Sequence, residues 1–355
     1  MDLTDRPTDI RSGEELDQSR MESFLKDNIA DLKGPLRLRQ FPGGASNLTY
    51  LVSFDNCQMV LRRPPFGTKA ATAHDMGREY KVLSALQGHF PYAPRPLIYT
   101  RDESIIGAPF YVMERREGII LRKDIPEGIL STPGQVRTLH ERFVEVLYGL
   151  HSLDYDKVGL SDLGRPEGYV KRQVLGWNKR YRAARTPDAP DCEAVMSWLE
   201  AKMPPETHRS AIIHNDFKFD NMVLDPDDPL RITGVLDWEM CTLGDPLVDL
   251  GNTVAYVVEK NDPSELQSIR AMPTNVDGAL SRREMIDYYG RLSGLTMENY
   301  DFYYCFGLFR LAGISQQIYY RYYHGQTGDT RFRVFHSRVQ VLDQMARKVM
   351  EQSDL

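Results

Sequence analysis

The stretch that most restricts what this chain can fold into covers residues 212–239. It reads I-I-H-N-D-F-K-F-D-N-M-V-L, then a D-P-D-D-P-L turn, then R-I-T-G-V-L-D-W-E. The apolar triplets at 211–213, 222–224 and 234–236 are too short for helices and read as buried strands joined by polar turns. His214, Asp216 and Asn221 fall in the order H-x-D-x-x-x-x-N, and Asp237 follows after one hairpin. Short strands on either side hold such polar tips rigidly.

Asp and Asn also build ordinary surface turns for purely local reasons. Against that reading, Asp216, Asp220, Asp237 and Glu239 put four acidic groups near one hairpin, where they repel one another without a cation. The spacing suits phosphoryl transfer, which asks the protein for a positioned nucleophile and for cations that neutralise phosphate charge. Asp216, with His214 opening the motif, reads as the catalytic element that accepts or orients the proton of an attacking hydroxyl. Asn221 and Asp237 offer hard oxygen ligands for Mg²⁺.

This layout resembles a kinase catalytic loop with its metal-binding aspartate. More of the chain resembles the aminoglycoside phosphotransferase family, a branch of the protein-kinase-like fold. L-D-W-E followed by G-D-P-L-V-D-L-G is the most specific part of the match, with Asp237-Trp238-Glu239 standing where protein kinases carry D-F-G. G-G-A-S-N-L-T-Y, V-L-R-R-P-P-F-G and L-D-W-E-M-C-T-L-G-D-P are similar to a narrower branch allied to acyl-CoA dehydrogenases, fused to them in animals and separate in bacteria. The resemblance implies an α+β, two-lobed fold. Residues 1–116 would form a nucleotide-binding lobe around a five-stranded antiparallel sheet, and residues 117–355 a larger, mainly helical catalytic and substrate lobe. It also implies ATP and Mg²⁺ as cofactors, and phosphorylation of a small-molecule hydroxyl, that of a hydroxyacyl-CoA in this branch. Two rivals stay open: an aminoglycoside-type antibiotic kinase, and a non-catalytic nucleotide-binding module that partners an acyl-CoA dehydrogenase.

Upstream, residues 36–41, 48–54, 58–63, 97–99 and 109–114 read as strands, with a helix over 74–87. Ser12 and Glu15 form a candidate capping box for an entry helix. Between the first two strands, Gly43, Gly44, Ser46 and Asn47 make a loop whose backbone N–H groups and hydroxyl can cover nucleotide phosphates; a plain hairpin is the competing reading. Arg62 stands on the third strand, where the family usually has the lysine that grips the α- and β-phosphates, and arginine is not a simple replacement for that point charge. Glu79 is its candidate partner, although the apolar stripe of Met76, Tyr80, Leu83 and Leu86 sets Glu79 toward the helix edge. Arg63 reads as a solvated strand-end cation. By resemblance, main-chain groups from Glu114 to Arg116 would hydrogen-bond an adenine.

Downstream, Thr132-Pro133 starts a helix. His151 near its end reads as a histidine satisfied by backbone. The helical segment 168–185 carries six cations interleaved with Trp177 and Tyr181. It reads either as a solvated face or as a surface for the phosphates of a CoA thioester. Asp245-Pro246 caps and opens another helix. Asp249, one turn in, is expected by resemblance to hydrogen-bond the catalytic-loop backbone. Three helical stretches close the chain.

The 355 residues, 41% hydrophobic and 26% charged, suit a globular protein of one large or two modest domains. A net charge of −6 argues against nucleic-acid partners. The four cysteines lack any C-x-x-C spacing and imply neither a zinc site nor a disulfide framework. No stretch approaches the ~18 apolar residues of a membrane span, and the N-terminus lacks a basic and apolar leader. No membrane association and a cytoplasmic location are the expectations.

Overall fold

The computed structural model describes residues 6–42, 47–66, 75–205 and 210–355. These divide into two compact units. The first is drawn from Met1–Ile120, Val158–Leu160 and Asn221–Cys241. The second is drawn from Leu121–Lys157, Ser161–Asp220 and Thr242–Leu355.

The first unit opens with α1 (Gln18–Asn28), followed by β1 (Arg37–Gln40), β2 (Leu48–Ser53) and β3 (Gln58–Arg63). Then come α2 (Met76–Leu86), β4 (Pro96–Thr100), the single turn α3 (Glu103–Ile106) and β5 (Phe110–Glu114). All four strand pairings are antiparallel, in the order β1-β2-β3-β5-β4. One face of the sheet buries Tyr50, Val52, Leu61, Phe110 and Val112 against Met21 and Leu25 of α1. Removing such apolar area from water is the main term holding the layer together. The expected capping box at Ser12 and Glu15 does not start α1. Asp17 caps it instead, accepting from the Arg20 amide. An N-cap carboxylate satisfies an otherwise orphaned helix donor.

The second unit carries α4 (Pro133–His151), α5 (Tyr169–Ala184) and α6 (Glu193–Ala201), then β6 (Ala211–Ile213). The next two strands, β7 (Met222–Leu224) and β8 (Ile232–Val235), pair as a hairpin within the first unit. The chain re-enters the second unit at β9 (Thr242–Gly244), which pairs antiparallel with β6 and was not apparent from the sequence. The remaining elements are helical: α7 (Pro246–Val254), α8 (Ser264–Ile269), α9 (Arg282–Ser293), α10 (Tyr300–Tyr323) and α11 (Phe335–Gln352).

The long helix α10 is the spine of this unit, packing against α5, α7 and α11. Its crossing with α7 is unusually close. A Cβ on Gly307 would lie 2.2 Å from the Gly251 carbonyl oxygen, and one on Gly251 would lie 2.3 Å from that of Tyr303. Glycine is the residue that lets two backbones approach like this. Phe302, Phe306 and Phe309 of α10 are buried in the core. No helix among the described residues is long and apolar enough to cross a membrane.

Candidate active site

In the second unit, β6 delivers the chain into the loop H-N-D-F-K-F-D, and the alternation of that loop explains its shape. Phe217 and Phe219 are buried; their rings pack on Phe143 of α4 at 4.8 and 4.4 Å, and Phe219 also meets His140 at 5.0 Å. The charged residues that alternate with them, Asp216, Lys218 and Asp220, are thereby turned to the opposite side. Lys218 Nζ lies 2.8 Å from Asp216 Oδ2, and the Tyr256 hydroxyl donates to Asp216 Oδ1 at 2.8 Å. Asp220 pairs with Arg122 at 3.1 Å.

Burial works to raise the Asp216 carboxyl, but Lys218, the Tyr256 hydroxyl and Arg310 outweigh it and hold it at about 2. Asp216 is therefore a carboxylate at neutral pH. Neither Lys218 nor Tyr256 was singled out from the sequence. The D-F-K-F-D alternation was the signal for Lys218; Tyr256 is 40 residues away and had none.

The loop is fastened from beneath by Asp249. Its two oxygens accept the backbone N–H groups of His214 and Asn215, each at 2.7 Å, and its Oδ2 also meets His151 Nε2 at 3.1 Å. The expectation for Asp249 is met in geometry. The one for His151 is corrected: it bonds side chains, Asp249 and the Tyr289 hydroxyl at 2.8 Å, rather than backbone. The reason is that a fully buried carboxylate needs donors from every side.

His214 itself is fully buried; its ring packs on Phe217 at 5.9 Å, and Nδ1 accepts from the Asp216 amide at 3.3 Å. Asn215 takes a left-handed backbone with φ 66°. Arg310 holds it there, donating to its carbonyl oxygen at 2.9 Å, while Asn252 and Tyr169 donate to its side-chain oxygen at 3.3 Å each. Such conformations persist where the surroundings over-determine them, as at working sites.

In the first unit, the β7–β8 hairpin places Asn221 and Asp237 at the same end. The Leu236 amide donates to the Asn221 carbonyl at 2.8 Å, and Met222 pairs with Val235. Asp237 is a second left-handed non-glycine residue, φ 65° and ψ 66°, followed by a single 3₁₀ turn over Trp238–Met240. The Trp238 indole anchors that turn by donating to the Val235 carbonyl at 2.8 Å.

Arg62 of β3 sits among three carboxylates: Glu79 at 2.8 Å, Asp237 at 2.9 Å and Glu239 at 3.6 Å. Burial acts against its charge, yet Glu79, Asp237 and Glu239 hold its pKa well above the ordinary value, so Arg62 remains a cation. Glu79 is 2% exposed rather than at the helix edge. The buried face of α2 is Met76, Glu79, Val82, Leu83 and Leu86, because the ion pair with Arg62 takes the place an apolar residue would fill.

Arg63 is likewise buried rather than solvated. It donates to the carbonyls of Ile106 and Pro64 and stacks at 3.7 Å on Phe66. Its long apolar stem and planar head make such burial affordable in free energy.

Asn47 Nδ2 donates to Glu239 Oε2 at 2.7 Å. Gly43, Gly44 and Ser46 of the expected phosphate loop lie outside the described residues. Glu114 and Arg116 pair with each other at 2.7 Å, and the Glu114 amide donates to the Arg95 carbonyl at 2.8 Å.

The model of the Phosphotransferase enzyme family matches residues 37–284. Acyl-CoA dehydrogenase family member 11 of Gallus gallus is 34% identical over 358 residues, covering 98% of this chain and 44% of that protein. Acyl-CoA dehydrogenase family member 10 of Mus musculus is 34% identical over 320 residues, covering 89% of this chain and 30% of that one. The chain thus spans less than half the length of these curated relatives. Among solved structures, a candidate aminoglycoside phosphotransferase from Ralstonia eutropha superposes with a TM-score of 0.81 at 27% identity, covering 96% of this chain and 100% of that one. Choline kinase from Cryptosporidium parvum, 12% identical with a TM-score of 0.64 over 95% and 96% of the two chains, shares the fold alone. The fold is protein-kinase-like, an N-terminal five-stranded antiparallel sheet followed by a mainly helical portion. The chain belongs to the phosphotransferase enzyme family.

Proposed function

We propose that this chain transfers the γ-phosphoryl group of Mg-ATP to a hydroxyl of a small molecule, with a hydroxyacyl-CoA thioester as the acceptor class. The observation that carries the reading is Asp216: a carboxylate kept ionised by Lys218 and Tyr256, on a loop fixed by Asp249. In this reading Asp216 orients the acceptor hydroxyl and takes its proton, and His214 holds the loop that presents it. Arg62, charged and set by Glu79, neutralises the phosphates. Gly43, Gly44, Ser46 and Asn47 cover the triphosphate, and the backbone of Glu114 to Arg116 takes the adenine. Residues 1–116 serve as the nucleotide lobe and 117–355 as the catalytic and substrate lobe.

Asn221 and Asp237 would hold Mg²⁺, which when bound neutralises charge on phosphate oxygens. The donors fit the ion: they are oxygens only, on the rigid β7–β8 hairpin. Among the described residues no group of three or more His, Cys, Asp or Glu gathers into a ready cage. Mg²⁺ characteristically takes one or two carboxylates and completes its shell with phosphates and water.

Support for the CoA thioester comes from relatives that carry the acyl-CoA dehydrogenase name. Because those relatives are much longer, an acyl-CoA dehydrogenase is the proposed partner, in the cytoplasm. The likeness to a candidate aminoglycoside phosphotransferase favours the rival antibiotic acceptor. The cations Lys218 and Arg310 beside Asp216 weigh against that cationic class.

Thermal-shift titrations with Mg-ATP and Mg-GTP test the reading. Saturation at a hundredfold over Kd stabilises the wild type by about 2.7 kcal/mol. Asp237→Ala loses the shift, while Asp216→Asn keeps it and loses about 10²–10⁴-fold in turnover. A nucleotide shift with no turnover of any acceptor would leave the non-catalytic nucleotide-binding module as the better account, no shift with either nucleotide would remove both readings, and wild-type turnover by Asp216→Asn would remove the base assignment.

A further inference from the structure

Arg338, on α11, is left unexplained by the phosphotransferase machinery. Its guanidinium lies over the Phe335 ring at 5.8 Å, and its Nε is buried without a hydrogen-bond acceptor among the described residues. Burial lowers its pKa, and Tyr256 is the ionisable group whose proximity acts the other way. Arg338 as a residue is half-buried, and the loss of hydration at its buried Nε is a cost that an anion beside the guanidinium would offset.

Its surroundings repeat the theme. Tyr256 donates to Asp216 at 2.8 Å and carries Lys218 over its ring at 5.4 Å, and Arg310 stands behind the same loop. Lys218 is already committed to Asp216, and Arg310 to the Asn215 carbonyl. Arg338 is committed to neither, and α11 is packed beside this tyrosine: Val341, one turn on from Arg338, shares a buried cluster with Val258, two residues past Tyr256.

We infer that Arg338 is a specificity-determining residue that receives an anionic group, a carboxylate or a phosphate ester, of the acceptor whose hydroxyl Asp216 orients. The inference rests on the phosphotransferase reading and adds the charge of the substrate to it. A planar guanidinium binds either anion through paired N–H donors, and it repels an aminoglycoside-like or choline-like cation.

The test uses the full chain with Mg-ATP, reading ADP release and the phosphorylated product by mass spectrometry. The acceptors are 3-hydroxybutyrate, glycerol 3-phosphate and 3-hydroxybutyryl-CoA against glycerol, choline and kanamycin. The wild type is expected to prefer an anionic acceptor, and the first three separate a carboxylate from a phosphate and from a CoA thioester. On the preferred acceptor, Arg338→Gln raises KM about tenfold, the size of one charge-assisted hydrogen bond, and leaves kcat within about twofold. Arg338→Lys recovers part of the loss, and Arg338→Glu deepens it. A wild type that turns over glycerol, choline or kanamycin better than every anionic acceptor, or one that phosphorylates none of the six, overturns the inference. So does Arg338→Gln lowering kcat at constant KM, which marks a structural role. Acceptor-free ATP hydrolysis and the Mg-ATP thermal shift, measured on the same preparations, separate the two levels. If both are absent from the wild type, the phosphotransferase reading fails and takes this inference with it. If both are present and the acceptor result is negative, only the Arg338 assignment falls.

Discussion

Replacing Lys218 with methionine keeps the apolar stem against Tyr256 and removes the ammonium 2.8 Å from Asp216. The loss can be sized from the carboxyl it serves. Asp216 is held at about 2 against an ordinary value of 3.8, with Lys218 the largest attractive contribution opposing burial. At about 1.4 kcal/mol per unit, that difference is worth about 2 kcal/mol of stability. The folded value lies below the unfolded one, so the contribution is fully present above about pH 4 and disappears as pH falls through about 2. In Lys218→Met, Tyr256 and Arg310 still oppose burial but the ammonium is gone, and the carboxyl returns toward or above its ordinary value. Urea unfolding followed by tryptophan fluorescence should therefore show the mutant less stable at pH 7 by about 2–3 kcal/mol. The gap should narrow toward pH 3, because the wild type has begun to lose what the mutant no longer has. Equal midpoints at pH 7, or a gap that does not change with pH, would refute the claim that Lys218 sets the charge state of Asp216.

Two further substitutions probe the framework around the site. Arg62→Gln strands Glu79, Asp237 and Glu239 without their shared cation and should cost about 3–5 kcal/mol, with Glu79→Gln in the same chain restoring a substantial part; strictly additive losses in urea titrations would show that the pair is not coupled. Gly307→Ala drives a methyl group into the Gly251 carbonyl and should lower stability by about 1–3 kcal/mol, whereas Gly134→Ala, with only the Thr132 hydroxyl near at 3.9 Å, should be neutral or stabilising by the same calorimetric measurement.

Much of this was legible because it rests on local signals. β2 and β3 alternate or run apolar between turn residues, and Asp245 and Thr132 stand at helix starts followed by proline. The Arg62–Glu79 pair was also anticipated, but its burial was not. Periodicity counts apolar side chains only, so a buried ion pair is read as a gap in the stripe, and the same blindness put Arg63 in solvent. β9 was missed because Thr242-Leu243-Gly244 is not an apolar run like the triplets that marked β6 and β7. His151 and Tyr256 were missed for a different reason. Their partners lie 98 and 40 residues away, and no local pattern encodes a contact that only the tertiary fold creates. The loop residues stood out because H-x-D-x-x-x-x-N is a matter of spacing, which a sequence records directly; their catalytic roles are proposed.

The fastening of the loop by Asp249 has a consequence for time as well as for place. The amide protons of His214 and Asn215 end on a carboxylate that is fully buried and belongs to α7, which is itself pressed backbone to backbone on α10 at Gly251 and Gly307. Neither amide can meet solvent by fraying of the loop alone; the helix pair must part first. In hydrogen exchange these two protons should therefore behave like those of the deepest helix, surviving until the whole unit opens. Their persistence would mark a loop that is carried by the body of the protein rather than by a movable flap.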